Sequence, residues 1–305
     1  MKKRKFRIGS SEDTANELKK TLELQLLYIH GLFYSSPKDL GQAIHEARRS
    51  YKKCRAILRL MRDAMGYASY YRENLMLRDM QRELSELRDA DVQYHLLSRL
   101  AESYPKAGKK ARMFHMTKKA KMDYHLEMKR FTKAGKATAI ARYTRAKAAQ
   151  IQDYELSGTG FEMIEGGLSR MYRQGREMGN MVLTMETDAS EIHAFRKKAK
   201  YLQNQLFYLR TISRPLLKPM SRTLEKLTDH LGDYNDLYMA SKRIEEFAKE
   251  NDLPPKKREA ILHKLREEMQ KALNQAIQAY KLIYVEKPKH FIHRISQYWQ
   301  AYYED

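Results

Sequence analysis

Apolar side chains in the segment 38–65 recur in alternating steps of four and three residues, and this spacing is the strongest constraint on the fold. Steps of three and four place side chains on one face of an α-helix, whereas a half-buried strand needs steps of two. The segment is therefore predicted to be one helix whose apolar face packs in a helical bundle. The apolar positions are Leu40, Ile44, Ala47, Tyr51, Cys54, Leu58, Met61 and Met65.

The remainder of the chain shows the same helical pattern between breaks. The sequence has only 13 Gly and 7 Pro, and each proline is expected where a helix starts or stops, because proline cannot continue a helix. No run of β-branched residues alternates at period two. The chain is predicted to be all-α, with helices near 11–34, 38–65, 67–104, 106–134, 136–156, 160–184, 188–213, 216–250, 254–284 and 289–302.

A basic residue or histidine follows most of these apolar positions directly. One residue corresponds to a rotation of about 100° around a helix, so this basic stripe borders the buried face and does not lie opposite it. Its side chains recur at about 5.4 Å along the axis, a spacing that can follow a linear chain of phosphates. The stripe consists of His45, Arg48, Lys52, Arg55, Arg59 and Arg62.

The second half of the chain repeats two of these motifs. The segment 44–48 recurs 148 residues later at 192–196, and Leu87-Arg88-Asp89 has a counterpart 147 residues later in Tyr234-Asn235-Asp236. Two motifs in the same order at nearly the same offset predict a duplicated bundle, 11–134 and 136–305, within one domain at 8–305. The second stripe is weaker, with Gln203 and Phe207 at two of its positions; its cations are His193, Arg196, Lys200 and Arg210.

The chain carries 59 Lys and Arg against 38 Asp and Glu, a formal charge of +21. Residues 1–150 have 34 basic and 16 acidic side chains, whereas residues 151–305 have 25 and 22. The stripe could be a solvated face paired with acids on neighbouring helices. The first half has too few acids for that, and like charges on one face repel unless an anion is bound. We therefore expect a polyanionic partner, bound mostly by the first half.

Several classes of protein are excluded by composition. A single cysteine, Cys54, excludes a disulfide framework and any Cys-based metal site. No apolar run is long enough to span a membrane. The basic residues 1–5 are not followed by an apolar signal core, so a cytoplasmic protein without a membrane partner is expected.

At these residues the sequence resembles the CHAD family, the histidine-bearing α-helical domains. The resemblance rests on five ordered motifs: His45-x-x-Arg48-x-x-x-Lys52-Lys53-x-Arg55, Leu87-Arg88-Asp89-x-Asp91-Val92, Gly167-Leu168-x-x-x-Tyr172-Arg173-x-Gly175-Arg176, His193-x-x-Arg196-x-x-x-Lys200 and Leu231-Gly232-x-x-Asn235-Asp236. It implies one domain of two four-helix bundles related by pseudo-symmetry. It also implies binding of inorganic polyphosphate in a basic central cavity, with no catalysis by the domain. Some members of the family gather on polyphosphate granules.

The stripe and the resemblance together give a set of candidate ligand-binding residues and no candidate catalytic residues or cofactor. Carboxylates and an amide on neighbouring helices are expected to orient the cations. The predicted polyphosphate ligands are His45, Arg48, Arg49, Lys52, Lys53, Arg55, Arg59, Arg62, Arg88, Arg173, Arg176, His193, Arg196, Lys197, Lys200 and Arg210, and the supporting residues are Asp89, Asp91, Asn235 and Asp236.

Two alternatives remain open from the sequence. The stretch 105–150 has 14 basic residues against two acids, interleaved with Phe114, Tyr124, Phe131 and Tyr143, a combination that also suits nucleic acid. A metal-dependent phosphohydrolase is the second alternative. However, His45 and His193 lack the i, i+3 or i, i+4 partners of helical metal sites and lie among cations, so no metal is expected.

Overall fold

The computed structural model describes residues 8, 13–34, 39–102, 107–184, 188–250 and 254–304, and at 99–102, 107–115, 183, 184, 247, 250, 257 and 304 it describes the backbone alone. These residues form α-helices and connecting turns, with no strand in the described ranges. The helices are α1 (Thr14–Tyr34), α2 (Leu40–Leu60), α3 (Tyr67–Arg82), α4 (Ser85–Glu102), α5 (Ala107–Lys133), α6 (Lys136–Ala149), α7 (Glu162–Thr184), α8 (Ala189–Leu209), α9 (Arg214–Glu250), α10 (Pro255–Ile283) and α11 (Pro288–Glu304). The all-α prediction is confirmed.

Most predicted helices are present, with ends displaced by a few residues. The predicted ends at 11, 38, 104 and 106 lie outside the described residues. The predicted helix 38–65 ends at Leu60 and continues as a turn, and the predicted helix 136–156 ends at Ala149, before a short 3-10 helix at Ile151–Asp153. Asp188 and Glu191 form a capping box at the start of α8. The Asp188 carboxylate accepts from the backbone N–H of Ser190 at 2.9 Å, and the Glu191 carboxylate accepts from that of Asp188 at 3.2 Å.

Two local predictions were wrong. The predicted helix 67–104 is two helices, α3 and α4, separated by a turn at Glu83 and Leu84. The turn redirects the chain from α2, on which α3 packs, to α5, on which α4 packs. Pro219 was expected at a helix boundary but lies inside α9, close to its start, where the missing N–H removes only one early hydrogen bond.

The core has two clusters of buried apolar side chains. The larger one runs through both halves of the chain, from Leu18 of α1 to Trp299 of α11. The smaller one joins α4, α5, α9 and α10 around Leu97 and Ile244. The predicted division at 134–136 does not separate contacts fully, because α6 packs against α1. The two pseudo-symmetric bundles stay a prediction.

Glycines in α7 allow close packing against other elements. A Cβ on Gly167 would lie 2.2 Å from the carbonyl oxygen of Leu60, at the end of α2. A Cβ on Gly175 or Gly179 would collide with Tyr284 or Tyr280. The glycine-rich sequence at this point is therefore explained by contact of α7 with α2 and with the end of α10, and contact of this kind holds one wall of the site in place.

Candidate functional site

A cavity of about 820 Å³ lies between α2, α4, α8 and α9. Its walls contain four acids, namely Asp89, Glu225, Asp229 and Asp236. Against these stand eleven Lys and Arg side chains, so the formal excess is seven positive charges: Arg48, Arg49, Lys52, Lys53, Arg88, Arg196, Lys200, Arg210, Lys218, Arg222 and Arg243. Three of these cations are paired with acids outside the lining, Arg49 with Glu46, Arg88 with Asp91 and Arg243 with Glu246. The other cations still outnumber the four cavity acids, so the cavity is expected to attract anions from solvent.

Helix α2 supplies one wall through the N-terminal part of the basic stripe. His45, Arg48 and Lys52 line the cavity, together with the adjacent Arg49 and Lys53. The Nη1 group of Arg48 donates a hydrogen bond of 2.6 Å to Oγ of Ser85, the first residue of α4. This bond holds a half-buried guanidinium beside the start of α4 and leaves its other N–H groups for a ligand.

Lys52 lies at the centre of the cationic region. Burial, together with the charges of Arg196, Arg48, Lys200 and Arg88, lowers the pKa of Lys52 to about 8. Burial, partly countered by the charge of Asp229, also lowers the pKa of Lys200. Both ammonium groups are held near other cations without enough acid to neutralise them. A bound anion would remove this penalty.

Helices α8 and α9 supply the opposite wall. Nε of Arg196 donates to the carbonyl oxygen of Thr228 at 3.0 Å, and Nζ of Lys200 donates to Oγ1 of the same residue at 3.3 Å. A Cβ on Gly232 would lie 2.8 Å from Nη2 of Arg196. The side chain of Arg196 therefore lies against α9 at Thr228 and Gly232, and these contacts hold its guanidinium in one orientation before any ligand binds.

The two histidines lie in the same cavity, and both have lowered pKa values. For His45 the causes are burial and the charges of Arg88 and Arg49. For His193 they are burial and the charges of Lys197 and Arg196, opposed by a hydrogen bond with Asn235. Nδ1 of His193 is buried without a hydrogen-bond partner among the described residues. Within those residues no group of three or more His, Cys, Asp or Glu side chains could hold a metal ion.

The predicted supporting residues lie in or beside the cavity. Asp89, Asn235 and Asp236 line it. Asp91 pairs with Arg88 and accepts a 3.2 Å contact from Nε2 of His95. Burial raises the pKa of Asp89 even though the charges of Arg48, Arg88 and Lys52 oppose this change.

The C-terminal part of the stripe does not line the cavity. Arg55 and Arg59 both donate to Oδ1 of Asn74 in α3, at 3.1 and 2.9 Å. The guanidinium of Arg59 also lies 3.9 Å from the ring centroid of Tyr201, and Arg62 packs against Tyr67 and Tyr70. These three cations are directed to α3 and the aromatic rings beside it, because the neighbours of α2 change along its length.

Three further predicted ligands lie elsewhere. Arg173 and Lys197 are exposed outside the cavity lining. Nε of Arg176 donates to the carbonyl oxygen of Tyr284 at 3.1 Å, so this side chain holds α7 to the end of α10. The α7 motif is therefore a packing element at Gly175 and Arg176.

The cavity also contains cations that the sequence did not predict. Lys218, Arg222 and Arg243 project from α9. Glu225 and Asp229 lie between Arg222 and Arg243 on the same helix, so no long run of like charge marks this face in the sequence. Only the spacing of Lys218 and Arg222, four residues apart, could have indicated a shared face.

Among the described side chains of 105–150, the aromatic residues singled out in the sequence do not form an exposed stacking surface. Phe131 is buried and Tyr124 packs against the larger core cluster. The hydroxyl of Tyr143 is buried, and the side chain of Phe114 lies outside those described. The described members of this set therefore contribute mainly to the core.

The profile of the CHAD domain matches residues 35–245, more than half of the chain. The chain belongs to the CHAD domain family. The crystal structure of the CHAD domain from the plant Ricinus communis shares the fold, with a TM-score of 0.58 and 17% identity over 89% of this chain and 90% of that one. Among curated proteins none matches significantly. No helix in the described part of this CHAD protein is long and apolar enough to cross a membrane.

Proposed function

We propose that this CHAD protein binds inorganic polyphosphate in the basic cavity and does not catalyse its turnover. The main support is the cluster around Lys52, whose pKa of about 8 reflects burial among cations that the four cavity acids cannot neutralise. Such a cluster is costly in the free protein and is stabilised when a polyanion binds. The family resemblance alone supports the further proposal that the protein lies in the cytoplasm at polyphosphate granules.

The shape of the cavity favours a thin, linear anion. Its α9 wall runs from Lys218 to Arg243, which at about 1.5 Å per residue is about 37 Å of helix. Besides the imidazoles of His45 and His193, Phe207 is the one aromatic ring among the described lining residues, and the guanidinium of Arg210 already lies 4.0 Å from its centroid. Binding of single-stranded nucleic acid relies on successive stacking rings, so a chain of phosphates without bases fits better.

The lining argues against the metal-dependent phosphohydrolase. The cavity carboxylates and histidines are interspersed with eleven cations, which repel a divalent metal ion. Hydrolysis would also require a group that activates water. Asp89, whose pKa is raised by burial, lies near the charges of Arg48, Arg88 and Lys52. We assign it the role of orienting Arg48 and Arg88.

Charge reversal inside and outside the cavity tests the proposal. The Lys52→Glu, Lys200→Glu double variant should bind fluorescently labelled polyphosphate at least about 100-fold more weakly at fixed salt, since each lost contact is worth at least about 1.4 kcal/mol. The matched control is Lys118→Glu, Lys129→Glu, two exposed positions of α5 that make the same change in net charge. Equal affinities of the two variants, with both folded by circular dichroism, would refute the site.

Competition and turnover assays separate the alternatives. Unlabelled polyphosphate should displace the labelled chain at lower phosphate concentration than single- or double-stranded DNA does. The affinity should fall steeply with salt, because bound cations release counterions. Preferred binding of DNA would support a nucleic-acid function. Sustained release of phosphate in the presence of divalent metal would show an enzyme.

A further inference from the structure

Toward one end of the cavity the lining is mostly aliphatic, and the cation at that end, Arg243, is already paired with Glu246 at 3.0 Å and Asp123 at 3.9 Å. Five aliphatic side chains form what we term the apolar section: Val92, Leu96 and Leu97 of α4 with Met239 and Ala240 of α9. Leu96, Leu97 and Ala240 belong to the smaller core cluster, so the floor of this section is fixed by packing. Met239 is 48% exposed and forms its open side.

The apolar section continues directly from the cationic region. Lys200 contacts Thr228, whereas His193, earlier on α8, contacts Asn235, later on α9. The two helices are therefore antiparallel along the cavity. Met239 follows Asn235 by one helical turn, as Val92 follows Arg88 on α4. The apolar section therefore begins about one turn beyond the last cations of the central region.

An unsubstituted phosphate chain makes no use of such a surface. Removing aliphatic surface from water is favourable by about 25 cal/mol per Å², but phosphate oxygens that lie on aliphatic side chains lose hydration and gain no hydrogen bond from those side chains. A ligand that is anionic at one end and aliphatic at the other would satisfy both regions. The lining of this section has no aromatic ring on which a nucleobase could stack.

We propose that the cavity also takes phosphate esters with an aliphatic chain, such as alkyl diphosphates. The diphosphate would lie among Lys52, Arg88 and Arg196, and the chain would lie on Val92, Leu96 and Met239. This inference rests on the proposed function, since the same cations hold the phosphates. It adds that the site distinguishes ligands by the substituent that is esterified to the phosphate.

The test measures affinity by titration calorimetry for inorganic diphosphate and for ethyl, butyl and hexyl diphosphate. Affinity should rise with chain length, by up to about fourfold for each buried methylene. The variant Val92→Thr, Met239→Gln keeps side-chain volume but makes the section more polar, and should flatten this dependence. Met181→Gln, at a position with the same 48% exposure outside the cavity, is the matched control and should keep it.

The outcomes separate this inference from the proposed function. If polyphosphate binds but chain length has no effect, or if the dependence survives in Val92→Thr, Met239→Gln, the apolar section is not a binding surface. Suppose that adenosine diphosphate binds more tightly than inorganic diphosphate, whereas hexyl diphosphate does not. The assignment of the apolar section to an aliphatic chain is then wrong. If neither polyphosphate nor any diphosphate binds, the proposed function itself fails.

Discussion

The guanidinium of Arg196 lies directly over Gly232, with Nη2 only 2.8 Å from where a Cβ would be. The two residues come from different motifs, one on α8 and one on α9, and together they fix one cation of the cavity. Arg196 also donates through Nε to the carbonyl of Thr228 at 3.0 Å. Its position thus depends on the missing side chain at 232.

Gly232→Ala should displace Arg196 and weaken polyphosphate binding by about three- to tenfold, roughly the worth of one misplaced charge-assisted hydrogen bond. Folding should be little affected, because the displaced atoms are the end of a flexible side chain and alanine favours a helix by about 1 kcal/mol over glycine. Binding titrations beside thermal melts will check this. Unchanged affinity would mean that Arg196 does not contact the ligand.

The affinity for polyphosphate should change with pH because the ammonium group of Lys52 titrates. Its pKa is about 8 in the free protein, and a bound anion favours the protonated form. Affinity should therefore be greatest below pH 8 and fall as the pH rises through that value. Lys52→Met should bind more weakly at pH 7 and lose most of the change between pH 7 and 9. A wild-type affinity that stays constant over this range would contradict the assignment.

Protonated Lys52 should also lower the free energy of unfolding of the ligand-free protein. Because the folded-state pKa of Lys52 lies below the ordinary value of 10.5, the folded state binds fewer protons between pH 8 and 10.5, and its stability rises with pH in that window. Lys52→Met should thus raise the free energy of unfolding at pH 7 by up to about 3 kcal/mol, and by progressively less toward pH 10.5. Urea unfolding at several pH values measures this. A destabilised Lys52→Met at pH 7 would contradict it.

The predicted stripe residues line the cavity only where the helical period alone sets their direction. The N-terminal part of the stripe, His45 to Lys52, lines the cavity. In that part of α2 each stripe residue directly follows a buried apolar residue, so all of them lie on the same side of the helix. The rest of the stripe is directed away from the cavity. Arg55 and Arg59 donate to Asn74 of α3, Arg59 also lies on the ring of Tyr201 of α8, and Arg62 packs against Tyr67 and Tyr70. Such long-range neighbours leave no periodic signal in one helix.

The turn between α3 and α4 was missed for a similar reason. Glu83 and Leu84 include neither Gly nor Pro, so nothing local marks a break. Leu84 is fully buried, and tertiary packing of α3 on α2 and of α4 on α5 decides where the helix ends. The cations of α9 were missed because the acids between them cancel their charge in the sequence.

Two glycine-to-alanine substitutions should have opposite effects on stability. At Gly167 a Cβ would lie within 2.3 Å of the carbonyl oxygens of Arg59 and Leu60. Backbone must move there, so we expect a loss of about 2 kcal/mol or more. At Gly31 in α1 nothing lies within 4 Å, so alanine should stabilise the helix by up to about 1 kcal/mol. Chemical denaturation of the two variants compares them. Equal effects would contradict close packing of α7 on α2.

A buried ion pair between Glu73 of α3 and Lys147 of α6 should make folding sensitive to acid. Hydrogen bonds from Lys147 and from the hydroxyl of Tyr154, at 2.6 Å, outweigh burial and hold the pKa of Glu73 below its usual value. The stabilisation is thus present above about pH 4.5 and is lost as the pH falls through the lowered pKa.

Glu73→Gln should cost about 3 kcal/mol, because it leaves the Lys147 ammonium buried without a counter-charge. Tyr154→Phe should cost about 1 kcal/mol, the worth of one hydrogen bond. The double variant Glu73→Gln, Lys147→Met should recover much of the loss, since no unpaired charge remains buried. Denaturation of all three at pH 7 and pH 4 tests this. If Glu73→Gln and the double variant lose the same stability, the pair does not act as a coupled unit.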